Sequence, residues 1–114
     1  MKINKESVAH YKWGLNCDGW RFLNRDNLSI IHEKMPPGTY EEKHFHQISW
    51  QFFYILIGQA TIELNGERYE LNPFEGIEIP PETPHQIFNK SDESIEFLVI
   101  SQPTTLGDRI AVTD

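Results

Sequence analysis

Cysteine is almost absent from this sequence, Cys17 being the only one. An intramolecular disulfide is therefore excluded, and no second thiol stands at metal-site spacing, which fits a reducing compartment and leaves Cys17 as an ordinary small side chain. Positive charge is short as well: ten Lys and Arg face seventeen Asp and Glu, for a net charge of −7. An electrostatic grip on a phosphate backbone needs the opposite balance, so nucleic acid is a poor partner. No apolar run approaches the roughly 20 residues of a membrane span. The opening Met1-Lys2-Ile3-Asn4-Lys5-Glu6 lacks the apolar core of a signal peptide. No membrane association and a cytoplasmic location are the expectations. Glycine-rich phosphate loops, a serine in a nucleophile elbow, internal repeats and low-complexity tracts are missing too. No apolar pattern of period 3.6 lasts longer than about two turns, which leaves little room for helix.

What is present reads as strands and tight turns. A length of 114 residues suits one domain, and a hydrophobic fraction of 39% with 12% aromatics can fill one core. Leu28 to Met35 is the first strong strand, closed by Pro36-Pro37-Gly38. A second is expected from Tyr40 to His46. Gln51 to Ile57 reads as a strand buried on both faces, ended by Gly58-Gln59 before an adjacent strand, Ala60 to Leu64. Asn65-Gly66 is a strong hairpin signal, since a type I′ turn needs positive φ at both central positions, and Glu67 to Leu71 continues beyond it. Ile77 to Ile79, His85 to Asn89 and Ile95 to Ile100 complete a set of eight or nine short strands, the pattern of a closed sandwich or barrel.

The organisation expected is a barrel over residues 28–101, an N-terminal region 1–27 that packs on the barrel or on a dimer partner, and a C-terminal tail 102–114, mobile or docked at an edge. Paired carboxylates such as Glu41-Glu42, Asp92-Glu93 and Glu67 with Glu70 read as solvated strand or turn residues, and Asp108-Arg109 as a surface pair of little energetic value.

The chemistry begins with His44-Phe45-His46. Residues two apart on a strand project to one face, where two imidazoles can meet one ion. His85 follows 39 residues later, directly after the stiff Pro80-Pro81-Glu82-Thr83-Pro84 loop, and the hairpin between allows its strand to return beside the first. Three converging imidazoles suit Zn, Fe, Mn, Ni or Cu as one divalent transition metal.

These residues resemble the cupin superfamily. Gly38, five residues, His44-Phe45-His46, four residues, Gln51, six residues and Gly58 follow the first cupin motif at every spacing. The second motif is met more loosely by Gly76, Pro80-Pro81, Pro84-His85 and Asn89. The resemblance covers Gly38 to Asn89, a little under half of the chain. It implies an all-β, single-domain jelly-roll β-barrel (double-stranded β-helix) with a metal inside, held by His44, His46, His85 and the position of Gln51; homodimers are common in such families.

Gln51 is the departure, standing where the family usually has glutamate. An amide offers a carbonyl oxygen but neither neutralises a 2+ charge nor acts as a general base. Strand parity puts Tyr40 and Glu42 on the face of His44 and His46, and Phe53, Ile55 and Ile57 on that of Gln51; His32 is a further pocket candidate. Trp50 and Phe52 either rim the mouth or pack outside. The pocket would suit a small, partly apolar ligand that chelates through oxygen. Two functions follow: a metal-dependent small-molecule enzyme, of dioxygenase or isomerase type, or a non-enzymatic barrel that binds or senses a small ligand. Glu42, Tyr40 and His32 are the expected replacements for the lost carboxylate.

Overall fold

The computed structural model describes residues 1–113; Asp114, the last residue of the tail, lies outside them. Eleven strands run in order: β1 (His10–Trp13), β2 (Cys17–Arg25), β3 (Leu28–Met35), β4 (His44–Phe45), β5 (Trp50–Ile57), β6 (Ala60–Leu64), β7 (Glu67–Leu71), β8 (Gly76–Ile79), β9 (His85–Phe88), β10 (Ile95–Gln102) and β11 (Ile110–Ala111). They form two antiparallel sheets, ordered β1-β2-β3-β10-β5-β8 and β11-β4-β9-β6-β7. Among the described residues there is no helix, and hence none long and apolar enough to cross a membrane.

Alternation decides which side of each strand meets the core. In β10, Ile95, Phe97, Val99 and Ser101 are buried while Glu96, Leu98 and Ile100 face outward and are only half-buried. Phe97 stacks on Phe53 at a centroid distance of 5.8 Å, and Ile55, Ile62, Ile87 and Met35 fill the space between the sheets. The Asn65-Gly66 turn joins β6 to β7 with Leu64 opposite Glu67 and φ of 51° and 87°, the mirror-image turn expected of that dipeptide.

Three local expectations differ from the structure. β5 is buried on one face only, with Trp50, Phe52 and Ile57 exposed. Ile57 escapes the core because the ladder to β10 slips: Ile57 pairs with Glu96 and Ile55 with Phe97, so Leu56 is an extra residue that reverses the parity. β5 and β6 are consecutive but unpaired, since Gly58 (φ 81°) carries the chain from one sheet to the other. The strand expected from Tyr40 to His46 shrinks to His44–Phe45, with Tyr40 in a lone bridge to Phe88. Between them the Glu41 side chain takes the Ile87 N–H at 3.2 Å, and a side chain in that place interrupts the ladder.

Candidate metal centre

His44 sits in β4 in register with His85 of β9, and His46 follows two residues on. All three are buried. Their ring centroids lie 4.4 Å (His44 to His85), 4.9 Å (His44 to His46) and 5.6 Å (His46 to His85) apart. One nitrogen of each lies within 4.8 Å of the others, close enough to share one ion.

The backbone fixes which nitrogen that is. Each Nδ1 meets a main-chain carbonyl: Glu42 for His44 at 2.8 Å, Asp108 for His46 at 2.8 Å and Thr83 for His85 at 2.9 Å. A carbonyl only accepts, so each Nδ1–H donates and each Nε2 keeps its lone pair, the arrangement that orients metal-bound histidines. The Arg109 guanidinium, 3.3 Å from His44 Nδ1, is thus a neighbour rather than a donor to that nitrogen. Burial, then the neighbouring His85, pushes His44 down to about 3, and burial pushes His85 down to about 4 and lowers His46. All three are neutral at pH 7, as ligation requires.

Gln51 completes the arrangement. Its Nε2 donates to Ser101 Oγ at 3.1 Å, which leaves Oε1 as the free end of the amide. Oε1 of Gln51 and Nε2 of His46 and His85 are the buried side-chain polar atoms without a hydrogen-bond partner among the described residues. Each such atom costs about 1–3 kcal/mol when unsatisfied. Three acceptors left bare together, all of them metal-ligand types, fit a divalent transition metal.

The cluster opens into a cavity of about 530 Å³ lined by His44, His46, Gln51, Phe53, Tyr40 and Glu42, with Ile31, Val99, Ser101 and further polar residues around them. Phe53 meets His85 edge-on at 6.1 Å. Glu42 is held by Arg109 at 3.1 Å, and Tyr40 is exposed at the mouth. Two candidates lie elsewhere. Ile55 is fully buried in the core and does not line the cavity. His32 faces the outer surface of the sheet, edge-on to Trp20 at 5.5 Å and 2.8 Å from Glu96. On β3 it is Ser29, Ile31, Glu33 and Met35 that point inward, opposite Ser101, Val99, Phe97 and Ile95. Trp50 and Phe52 also belong to the outer face.

Several cavity residues escape the sequence reading. Glu33, Glu41, Tyr11, Trp13, Arg21 and Arg109 all line the cavity. Asp108 does not pair with Arg109: its carboxylate accepts the N–H groups of Gln47, Ile48 and Ser49 at 2.8, 3.0 and 3.0 Å. With β11 added to β4, the segment after β10 builds one wall of the site. The paired motif Glu41-Glu42 and the charged Asp108-Arg109 were the available signals, and both read as solvated.

Two antiparallel sheets enclosing three clustered, buried imidazoles define the class: a small jelly-roll barrel with a candidate metal centre inside. The Cupin domain family matches residues 31–101, and the chain belongs to it. An uncharacterized protein of Methanocaldococcus jannaschii is 33% identical over 111 residues, covering 90% of this chain and 89% of that one. Among solved structures, one described as a predicted oxalate decarboxylase of Thermotoga maritima superposes with a TM-score of 0.84 at 17% identity, over 91% of this chain and 100% of the other. Pac13, a nucleoside dehydratase, gives 0.81 at 21% identity over 98% and 90%; a Streptomyces Pac13 variant is solved with uridine. At those identities the structures speak to fold alone.

Proposed function

We propose that this cupin holds one divalent transition metal on His44, His46 and His85, with Gln51 as a weaker fourth ligand, and acts on a small molecule that reaches the ion through oxygen. The observation that carries this reading is the set of bare acceptors on three clustered imidazoles, each held at Nδ1 by a backbone carbonyl so that Nε2 is left to bind. When bound, the ion supplies Lewis acidity to an oxygen ligand or, if redox-active, a site for dioxygen chemistry. The chain's own residues fix the imidazole tautomers, keep Gln51 Oε1 turned away from Ser101, and wall the site with Phe53, which shields it from bulk water. Arg109 and Arg21 at the cavity wall favour a ligand with anionic or oxygen-rich groups.

Gln51 also favours a second reading, a barrel that binds or senses a small ligand without turnover, because an amide cannot supply the base that a glutamate would. Homodimerisation through the outer face, where Ile30, Ile100 and Phe52 form one apolar row, and a cytoplasmic setting complete the proposal; light scattering and cell fractionation test them.

The deciding experiment is elemental analysis of tag-free protein purified without added metal, repeated on His85→Ala. Near one equivalent of Fe, Mn, Ni, Cu or Zn, lost in the variant, is the expected result, and a redox metal favours oxygen chemistry. Metal absent from both removes the metal reading and leaves the ligand-binding barrel.

A further inference from the structure

Two carboxyl groups that the histidine cluster does not use line the same cavity. Glu33 lies on β3 and Glu41 in the irregular segment before β4. In each, one oxygen is held by the protein and the other is not. The Tyr11 hydroxyl donates to Glu33 Oε2 at 3.2 Å, and the Ile87 N–H donates to Glu41 Oε1 at 3.2 Å. No donor among the described residues reaches Glu33 Oε1 or Glu41 Oε2. Burial pushes Glu33 up to about 7 and, with the nearby Glu33 adding to it, Glu41 up to about 8, as removal from bulk water does to a carboxyl group.

Their surroundings narrow what supplies those donors. Arg21 lies over the Tyr11 ring at 4.5 Å, and Arg109 lines the same cavity together with the aromatic sides of Trp13 and Tyr40. The lining mixes Arg21 and Arg109 with Glu33, Glu41 and Glu42, so a ligand of one charge sign meets like charge on part of the wall, and a purely apolar ligand would cut the free carboxyl oxygens off from water without replacing its hydrogen bonds. Hydroxyl groups donate to carboxyl oxygens and accept from guanidinium N–H at the same time. The CH faces of a compact polyol suit aromatic walls, and about 530 Å³ admits one small molecule of that kind.

We propose that Glu33 and Glu41, with Tyr11 and Arg21, form a subsite for the hydroxyl groups of a small polyhydroxylated ligand, a sugar or sugar-derived acid, lying in the same cavity as the imidazole cluster. The inference deepens the reading of that cluster as a metal centre and rests on it.

The test titrates zinc-loaded, full-length protein with D-gluconate and, in parallel, with hexanoate, which carries the carboxylate without the hydroxyls. Calorimetry reads affinity, and zinc content is measured on every sample. Gluconate is expected to bind at least ten-fold tighter than hexanoate. Glu33→Gln and Glu41→Gln keep the oxygen that Tyr11 or Ile87 holds but turn the cavity-facing acceptor into an NH₂ donor. At about pH 9, above the values near 7 and 8, so that both carboxyl groups are ionised, each is expected to weaken gluconate at least five-fold, with hexanoate binding no weaker than in wild type and zinc content unchanged. Tyr11→Phe, which frees Glu33 without altering charge, is expected to give a smaller loss in the same direction. Equal binding of the two acids, no gluconate binding at 50-fold excess over zinc-loaded protein, or Gln variants that keep the wild-type preference overturns the subsite. Failure of wild-type protein to hold zinc is a separate result and strikes the metal reading instead.

Discussion

At the scale of the residue, the imidazole cluster depends on groups outside it. Asp108 holds the backbone N–H groups of residues 47–49 with its carboxylate and aims His46 with its carbonyl. Asp108→Ala keeps the carbonyl but frees the loop that carries His46. It is expected to weaken zinc binding by about 10–100-fold, the usual cost of losing a group behind a metal ligand, as read by competition with a chromophoric chelator. Unchanged affinity would show that the imidazoles hold their places without it. Glu33 gives a pH-dependent expectation. Burial raises it from 4.5 to about 7, so the folded protein keeps a proton that the unfolded chain releases. Its contribution is fully present below about pH 4.5 and is lost as pH rises through about 7. Glu33→Gln removes that loss, so its melting temperature relative to wild type should be higher at pH 8.5 than at pH 4. An offset independent of pH would refute the buried ionisation.

At the scale of the element, turns and bulges decide which side chains enter the cavity. Gly58 crosses between the sheets at φ 81°, and a Cβ there would meet Ile95 Cγ2 at 2.8 Å and the Ser94 carbonyl at 3.1 Å. Gly58→Ala therefore carries both backbone strain and a clash, and should cost about 2 kcal/mol, a fall of about 8 °C in melting temperature. Gly38 has a similar φ of 77° with nothing within 4 Å of a Cβ. Gly38→Ala should cost only about half as much; equal losses would mean that the contact with Ile95 relaxes freely. These same features mark where the sequence is legible. The Asn65-Gly66 hairpin and the strand Leu28–Met35 are local, and local chemistry announces them. The three histidines are legible because motif spacing carries them. His32 misleads because β3 places apolar Leu28 and Ile30 on the outer face and Ser29 and Glu33 inside, so alternation alone points the wrong way. The bulge at Leu56 reverses Ile57 for a reason that lies in the register with β10, which no window of β5 contains. Asp108 and Tyr11 were illegible for the same cause, since their partners lie 62 and 22 residues away.

At the scale of the whole molecule, the two sheets are stitched by pairings between distant parts of the chain. β3 and β5 do not pair with each other; β10 lies between them and bonds to both. The inner row across that sheet runs from Ser29 through Ser101 to Gln51, so the strand that seats Gln51 is itself seated by one made some fifty residues later. The closing contact to His46 comes later still, from Asp108. During synthesis a chain grows from its N-terminus at about 5–20 residues per second. Until the segment beyond β10 has joined the fold, the three imidazoles are all in the chain but His46 lacks its anchor. On the metal-centre reading, full affinity for an ion would come only once the segment carrying Asp108 has docked, and a chain folded without it would carry the three imidazoles but hold an ion weakly.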